Sequence, residues 1–455
     1  MPGMCSRPRV VIAGERSGVG KSTVTIGILA ALRSRGLAVQ PFKAGPDFLD
    51  PMHHDMVVDR TSRNLDTWMF PGYVEESFQR ASLGADVSII EGVMGFYDGY
   101  DGLAEEGSTA HLSKVLKCPV ILVLDASASA RSLGAVAMGF KEYDPKVRIA
   151  GVIFNHVAGR RHLEMLAASL RDMDCLGGLP NELEMSLESR HLGLIPAQER
   201  PDTERYERIR GIIEEHVDVP RILEIARGAP DLASVPLDEM TRGAKCRIGV
   251  ATDAAFNFYY EDNFDILRKH GAEIVPFSPL TEARIPDVDG LYFGGGYPEL
   301  FAAQLSENAS MLSSVRRFAE SGQPLYAECG GLMYLCSELK DLEGAALPMT
   351  GIFHAKVEMT ERLQALAYIE AKVVRDNVLS KAGWGIRGHV FHYSRVTENE
   401  EKDYAYDLGR ESGIEGARDG FVSDSSLASY AHLHFGADQR FAARFVDSCV
   451  KRSKR

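Results

Sequence analysis

The chain has 455 residues, of which 45% are hydrophobic and 25% are charged, as in ordinary globular proteins. Its length exceeds what one hydrophobic core supports, so two or three domains are expected. The formal net charge of −13 argues against a nucleic-acid partner, because phosphate contacts need a basic surface. The seven cysteines contain no CxxC pair, and no apolar run approaches the roughly 20 residues that span a bilayer. We therefore expect a cytoplasmic protein with no membrane partner.

A phosphate-binding loop is predicted close to the N-terminus. The β-rich run 9–14 breaks into the sequence GERSGVGKST, after which apolar residues recur at helical spacing. In such a loop, backbone N–H groups face an anion, the lysine reaches the terminal phosphates of a nucleotide and the serine binds Mg²⁺. The alternative is a glycine-bearing loop that matches by chance. The predicted ATP-binding residues here are Gly18, Gly20, Lys21, Ser22 and Thr23. The spacing G-x5-G-K-S resembles that of dethiobiotin synthetase and its relatives.

Polar side chains at the ends of the next strands are further candidates. Lys43, Asp47 and Asp50 lie in the run PFKAGPDFLDP. Carboxylates there are placed to hold Mg²⁺ or to orient a substrate, although an Asx turn explains the aspartates equally well. Glu91 ends the apolar run VSII, and an acid at that position of a buried parallel strand is typical of Mg²⁺ coordination. Asn155 ends a later strand and offers a donor and an acceptor suited to an adenine edge.

The alternation of elements predicts the domain organisation. Strands alternate with helices through the first half, which indicates a doubly wound parallel sheet with ligands at the strand C-termini. We assign residues 1–225 to this P-loop NTPase-like domain, and 226–245, rich in proline, charge and small residues, to a linker. A second α/β domain is expected over 246–440, and a C-terminal helix with a basic tail over 441–455.

A nucleophile on a strand-to-helix elbow is predicted at Cys329. The run LYAE precedes this cysteine, and two glycines and a helix-like run follow it. The positive end of the following helix lowers the pKa of a thiol at such an elbow, whereas the alternative is a buried structural cysteine. Gly294, Gly295 and Gly296 end an earlier strand and are expected to form an oxyanion hole, the alternative being a tight turn.

A base for the cysteine is expected late in the chain. The run SYAHLHF places His432 and His434 on one face of a strand, and both are catalytic candidates. The order of glycine strand, cysteine elbow and late histidine resembles a class I glutamine amidotransferase, which gives the fold class expected for the second domain. In that family a glutamate usually follows two residues after the histidine. Because a histidine stands at 434, we expect a Cys-His pair without the usual acid.

Over its whole length the chain resembles the cobyrinate a,c-diamide synthase family. The resemblance rests on the phosphate loop and on GPDFLDP, EGVMGFYDG, AFNFYYEDN, FGGGYPE, AECGGLMYL, RGHVFHYS and SYAHLHF, in that order. Val390 departs from the pattern, because a glutamate is expected at that place, and this leaves the role of its strand open.

The resemblance implies an enzyme with two sites. At Cys329 glutamine would be hydrolysed through a thioester, with a histidine as the base. At the other site ATP with Mg²⁺ would phosphorylate an acetate carboxylate of an anionic tetrapyrrole, and ammonia would displace the phosphate. The residues implied to hold Mg²⁺ are Ser22, Asp47 and Glu91. Those implied on the substrate side are Lys43, Asp47, Asp50 and Asp98.

The tetrapyrrole and the assembly stay open from sequence alone. Cobyrinate and Ni-sirohydrochlorin both present acetates on a large anionic ring, and similar enzymes of methane-producing archaea are associated with the nickel compound. A homodimer is compatible with this expectation.

The alternatives are a regulatory ATPase and a carboxylating enzyme. A ParA/MinD-like regulatory ATPase fused to a degenerate amidotransferase domain would need a DNA-binding or membrane-tethering surface, and neither a basic patch nor an amphipathic tail is evident in the sequence. A dethiobiotin synthetase-like carboxylation would leave the cysteine domain without purpose.

Overall fold

Two compact units make up the chain in the computed structural model. Unit 1 is Met1–Leu237 and unit 2 is Asp238–Arg455. The structure describes residues 3–181, 189–190, 193–194, 203–237 and 243–453. Parts of two sequence predictions, the linker at 238–242 and the tail at 454–455, lie outside the described residues. None of the helices in the described part of the chain is both long and apolar enough to cross a membrane.

A parallel sheet forms the centre of unit 1. Its strands and the short strands beside it are β1 (Met4–Cys5), β2 (Arg9–Gly14), β3 (Val39–Ala44), β4 (Arg63–Leu65), β5 (Val87–Glu91), β6 (Val120–Asp125), β7 (Ile149–Val157), β8 (Asp174–Pro180), β9 (Ser189–Arg190), β10 (Gly193–Leu194) and β11 (Leu232–Ala233). Among the described residues, seven strands pair in the order β4-β3-β5-β2-β6-β7-β8, every pair parallel. Such strands are apolar throughout because helices cover both faces of the sheet. The predicted doubly wound parallel sheet is confirmed.

Helices of unit 1 connect these strands. They are α1 (Lys21–Ser34), α2 (Leu49–Val57), α3 (Val74–Ala81), α4 (Thr109–Val115), α5 (Ser132–Tyr143), α6 (Arg160–Ala167), α7 (Thr203–His216) and α8 (Val219–Arg227). The predicted linker, 226–245, therefore starts inside α8 and includes β11, which pairs antiparallel with β1. The central strand β2 lies between β5 and β6, so the loop after it opens at the carboxyl edge of the sheet, where ligands bind in such folds.

Unit 2 is built on a mixed sheet. Its strands are β12 (Cys246–Ala251), β13 (Ala272–Phe277), β14 (Gly290–Phe293), β15 (Leu325–Glu328), β16 (Cys336–Lys340), β17 (Ala346–Pro348), β18 (Phe353–Met359), β19 (Ala365–Val373), β20 (Gly385–His392), β21 (Ser394–Asn399), β22 (Tyr404–Asp407), β23 (Arg418–Ser423), β24 (Ser426–Ser429) and β25 (His432–Leu433). Within the described residues the large sheet runs β13-β12-β14-β15-β24-β23-β22-β19-β20-β25, and β17-β16-β18-β21 form a second sheet. The strands from β13 to β24 in this order are parallel, as an α/β domain requires.

Helices of unit 2 are α9 (Glu261–His270), α10 (Ala302–Glu307), α11 (Ala309–Glu320), α12 (Gly330–Leu335) and α13 (Arg440–Ser453). The short helix α12 starts directly after the elbow cysteine, and β24 lies beside β15 in the sheet. β25 pairs with β20 in the register His389 to His432. The pairing of β24 with β15 thus brings residues 426–429 beside the elbow strand.

The packing of α1 on α7 depends on a glycine. A Cβ atom on Gly27 would lie 2.3 Å from Ile213 Cγ1, and both Ile209 and Ile213 are buried. Gly27→Ala should therefore destabilise the protein by about 1–2 kcal/mol, because overpacking by up to about 3 kcal/mol outweighs the gain of about 1 kcal/mol in helix propensity.

The matched control is Gly211→Ala on α7, where a Cβ atom meets nothing within 4 Å. This change should raise stability by about 0.5–1 kcal/mol. Urea unfolding of both variants measures the difference, and equal effects of the two substitutions would show that α1 and α7 do not pack this closely.

Candidate active sites

The phosphate loop of unit 1 has the geometry of an anion cradle. Gly20, with φ of 94°, precedes α1, and the first turn of that helix carries Lys21, Ser22 and Thr23. Gly18, with φ of 78°, also needs the left-handed region that glycine adopts without strain. The Lys21 Nζ donates to the backbone oxygens of Arg16 at 3.0 Å and Met94 at 2.6 Å. The ammonium is thereby folded back over the loop.

Lys21 loses its proton at a lower pH than an ordinary lysine does. Burial, together with the nearby Lys43 charge, lowers the pKa of Lys21 to about 8. An anion bound in the loop would favour the charged form.

Glu91 at the end of β5 is the centre of a buried polar network. Its Oε1 accepts hydrogen bonds from Ser22 Oγ at 2.6 Å and Lys43 Nζ at 2.8 Å, and its Oε2 lies 2.7 Å from His54 Nε2. Burial alone would raise the pKa of Glu91, but the Lys43 charge and the hydrogen bonds from His54 and Lys43 hold that pKa well below its usual range. Glu91 is therefore a fully buried carboxylate that stays ionised.

Lys43 brings the acids of the GPDFLDP turn into the same network. Its Nζ donates to Asp50 and lies 3.8 Å from an Asp47 oxygen. Burial opposes the charge, but the carboxylates of Asp50 and Glu91 raise the pKa of Lys43 above its ordinary value. The other Asp47 oxygen accepts from the Leu49 N–H at 2.8 Å, as an Asx turn does. Asp47 therefore makes the turn and faces the network at once.

His54 is a site residue that the sequence reasoning missed. It is fully buried on α2, and its Nδ1 lies 3.1 Å from Ser62 Oγ while its Nε2 faces Glu91. A signal was present, because Asp50 and His54 are four residues apart and share one helix face.

Asn155 and Asp98 both stabilise loops beside the cradle. Asn155 Nδ2 donates to the Val19 carbonyl at 2.9 Å, and its Oδ1 accepts from the His156 N–H at 3.0 Å. Both ends of the predicted adenine-binding amide thus contact the protein itself. Asp98 Oδ2 accepts from the Gly95 N–H at 2.9 Å, which closes the turn after Glu91.

In unit 2, Cys329 occupies the strained position that the elbow pattern predicts. It follows β15 and precedes α12 with φ of 46° and ψ of −98°, a region that costs energy for a residue with a side chain. Its N–H donates to the Ser429 carbonyl at 2.7 Å. A Cβ atom on Gly331 would lie 2.6 Å from the Phe293 oxygen, so the helix start passes close to β14. Cys329 is buried, with 8% of the residue exposed.

The two candidate histidines have different neighbours. His432 interacts with Cys329, whereas His434 Nε2 lies 3.7 Å from Asp262 and its Nδ1 accepts from the Gly436 N–H. Burial lowers the pKa of His432, but its interactions with Cys329 and with the Glu328 carboxylate raise it overall to about 9. The structure thus brings His432 to the cysteine and holds His434 against a different acid.

The three glycines after β14 do not play equal parts. The Gly294 N–H donates to the Tyr259 hydroxyl at 2.8 Å, so this amide is already used and the oxyanion prediction for it is corrected. A Cβ atom on Gly295 would lie 2.6 Å from His432 Cε1. A Cβ atom on Gly330 would lie 3.1 Å from the Gly296 nitrogen, which places that amide beside the elbow.

Glu328 is a second residue that the sequence reasoning missed. It ends β15, it is 1% exposed, and its Oε2 lies 3.8 Å from His432 Nδ1. The signal was the acid that ends the otherwise apolar run LYAE, since a buried carboxylate needs partners.

The strand of Val390 borders the same site. Val390 is fully buried on β20, and the neighbouring His389 stacks on His432 with ring centroids 4.9 Å apart. The residue that departs from the family pattern therefore packs in the core, on a strand that reaches the site through His389.

A phosphate-binding unit followed by a cysteine-elbow unit defines the class of a nucleotide-binding protein fused to a glutamine amidotransferase. Comparisons agree with this class. The family model described as "CobQ/CobB/MinD/ParA nucleotide binding domain" matches residues 10–195, and that described as "CobB/CobQ-like glutamine amidotransferase domain" matches 247–440. The fold class predicted for the second domain is thereby confirmed.

Relatives that align with nearly the whole chain identify the family within this class. A cobyrinate a,c-diamide synthase of Methanothermobacter thermautotrophicus is 43% identical over 96% of this chain and 98% of its own. One of Archaeoglobus fulgidus is 44% identical over 98% of both chains. One of Leptospira interrogans is 40% identical over 98% of this chain and 99% of its own. The chain belongs to the cobyrinate a,c-diamide synthase family, which confirms the resemblance found in the sequence.

The contact between Gly295 and His432 can be tested without assuming a reaction. Gly295→Ala should push the imidazole away from Cys329 and slow alkylation of that thiol by iodoacetamide at pH 7 about tenfold, because the thiolate loses its partner. Peptide mapping by mass spectrometry measures the rate at Cys329. The control is Gly385→Ala on β20, where a Cβ atom meets only the Ala371 oxygen at 3.7 Å. An unchanged rate in Gly295→Ala would show that His432 does not activate the thiol.

Proposed function

We propose that this protein is an ATP- and glutamine-dependent amide synthase that converts the a and c acetates of a tetrapyrrole to amides. The observation that carries the proposal is the presence of both sites in one chain of this family: the phosphate loop with its buried Glu91, and the Cys329–His432 pair. The intact pair argues against the degenerate amidotransferase domain that a ParA/MinD-like regulatory ATPase would carry.

The proposed role of unit 2 is to release ammonia. The Cys329 thiolate attacks the side-chain amide carbon of glutamine, and the charge that develops on oxygen is stabilised by the N–H groups of Gly296 and Gly330. His432 gives its proton to the leaving nitrogen, so that ammonia departs and a thioester remains. Water, deprotonated by His432, then hydrolyses the thioester to glutamate and restores the thiol.

The proposed role of unit 1 is to activate a carboxylate. Hydroxide is a very poor leaving group at neutral pH, whereas phosphate leaves readily, so the γ-phosphoryl group of ATP is transferred to an acetate oxygen. Ammonia then attacks the acyl phosphate and releases phosphate. Lys21 and the N–H groups of the loop stabilise the charge on the transferring phosphoryl group.

The residues fit Mg²⁺ as a cofactor of this step. The Ser22 hydroxyl and the ionised Glu91 are hard oxygen donors that lie 2.6 Å apart, and Asp47 adds another carboxylate beside Lys43. Ser22, Asp47 and Glu91 would hold Mg²⁺ here, and the ion would supply positive charge to the nucleotide phosphates. Lys43 and His54 hold Glu91 in position.

Cobyrinate is the acceptor that we propose first, because the relatives carry that compound in their names. Ni-sirohydrochlorin is proposed as a second acceptor, because it presents acetates of the same kind on a similar anionic ring. We place the acceptor near Lys43, Asp47, Asp50 and Asp98 at the carboxyl edge of the sheet.

Removing the nucleophile tests whether ammonia release and amidation take place at separate sites. Cys329→Ala should abolish amidation with glutamine while ammonium chloride still supports it, because the phosphate-loop site is untouched. Amide products are scored by the mass of the tetrapyrrole. If ammonium fails to restore amidation in a folded variant, the division of labour between the sites is wrong.

Removing the loop lysine should stop both reactions. Lys21→Ala is expected to lose amidation with glutamine and with ammonium, and retained ammonium-dependent activity would contradict the role of the loop.

The same lysine predicts a pH dependence of ATP binding. Bound phosphate raises the pKa of Lys21 from about 8. The affinity for ATP is therefore highest below pH 8, where Lys21 is charged before ATP binds. Above pH 8 the affinity falls by up to about tenfold per pH unit. Calorimetry from pH 7.5 to 9.5 measures the slope, which should be absent in Lys21→Ala. An equal slope in that variant would mean that another group titrates.

A further inference from the structure

The cysteine site needs an acid that its sequence does not supply at the usual place. His434 stands where the family resemblance predicts a glutamate, and the structure holds His434 against Asp262. We propose that Glu328, the residue immediately before the nucleophile, orients His432 and stabilises its protonated form in place of that acid. The inference rests on the proposed hydrolysis of glutamine at Cys329 and deepens it.

The first support is the geometry of the three side chains. Glu328 Oε2 lies 3.8 Å from His432 Nδ1, and both residues are 2% exposed or less. With Nδ1 towards the carboxylate, Nε2 is left to serve Cys329, the arrangement that a nucleophile, base and orienting acid require. At 3.8 Å, longer than a hydrogen bond, the carboxylate acts on the imidazole through its charge.

The second support is the way in which Glu328 is fixed. Tyr292 donates its hydroxyl to Oε2 at 2.9 Å, the Tyr326 hydroxyl donates to Oε1, and the Leu433 N–H donates to Oε1 at 3.0 Å. Leu433 follows His432 directly, so one carboxylate holds the backbone beside the histidine and also lies near Nδ1 of its ring. The donors are neutral, which leaves the negative charge of Glu328 available to the imidazole.

The third support is the charge of the other groups around the ring. Burial and the His432 charge lower the pKa of His389 well below its usual value, and burial lowers that of His392 to about 4, so both histidines are neutral. Burial and the Glu328 charge raise the pKa of Tyr292 and Tyr326, which are therefore neutral too. Of the described side chains that face His432, Glu328 and Cys329 raise its pKa, to about 9.

A buried carboxylate with only a structural role would affect stability but not the titration of His432. The test is the pH profile of glutamine hydrolysis in Glu328→Gln, which keeps the shape of the side chain and removes its charge. We expect kcat to fall about 100-fold with KM within threefold, on the scale of general acid–base catalysis. We also expect the alkaline limb of kcat, which reports loss of the His432 proton, to move to lower pH.

The matched control is Tyr326→Phe. It removes one hydrogen bond to the same carboxylate and perturbs the same buried cluster, but leaves the charge facing His432. Its alkaline limb should not move to lower pH. Glu328→Asp should recover part of the lost rate, because a shorter carboxylate still faces the ring. Thermal unfolding of each variant separates loss of fold from loss of catalysis.

Each outcome decides something different. If Cys329→Ala still hydrolyses glutamine, the proposed function of unit 2 fails. If Cys329→Ala is inactive while Glu328→Gln keeps the wild-type kcat and alkaline limb, the inference about Glu328 alone is wrong. If Glu328→Gln does not fold, ¹⁵N NMR of His432 in the wild-type protein tests the inference, because it shows which ring nitrogen carries the proton. A neutral ring protonated at Nδ1 supports the inference, and one protonated at Nε2 overturns it.

Discussion

A carboxylate buried at the carboxyl end of a parallel strand must be compensated on every side, because an unpaired charge away from water costs several kcal/mol. Glu91 ends β5 beside the phosphate loop, and Glu328 ends β15 beside the cysteine elbow. Each lies next to a glycine-bearing turn. The polar groups that compensate these two acids make up much of the side-chain framework of the two candidate sites.

Glu91 is compensated by ionisable groups and Glu328 by neutral donors, and each arrangement suits the reaction proposed at its site. Glu91 contacts the ammonium of Lys43 and the imidazole of His54. The resulting network of ionisable groups suits the binding of phosphate and Mg²⁺. Tyr292 and Tyr326 meet Glu328 with neutral hydroxyls. Neutral donors do not compete with the imidazole of His432 as a basic group facing this carboxylate.

Features set by a few neighbouring residues could be predicted from the sequence, whereas features set by strand pairing could not. The phosphate loop and the Cys329 elbow follow from local glycines, and the structure shows both with the expected backbone. The use of the Gly294 amide by Tyr259 depends on how distant segments meet. Glu328 reaches His432 only because β24 lies beside β15 and the chain then turns back towards the elbow. The acid was visible in the run LYAE, but the local pattern could not show its partner.

The central claim is that nitrogen released at Cys329 becomes the amide of a tetrapyrrole activated at the phosphate loop. The most direct measurement supplies ATP, Mg²⁺ and glutamine labelled with ¹⁵N at the amide to the protein with cobyrinate, and in parallel with Ni-sirohydrochlorin, and records product masses. We expect the a and c acetates of cobyrinate to become labelled amides as ATP is consumed. Consumption of glutamine and ATP without any gain of amide mass on either tetrapyrrole would contradict it.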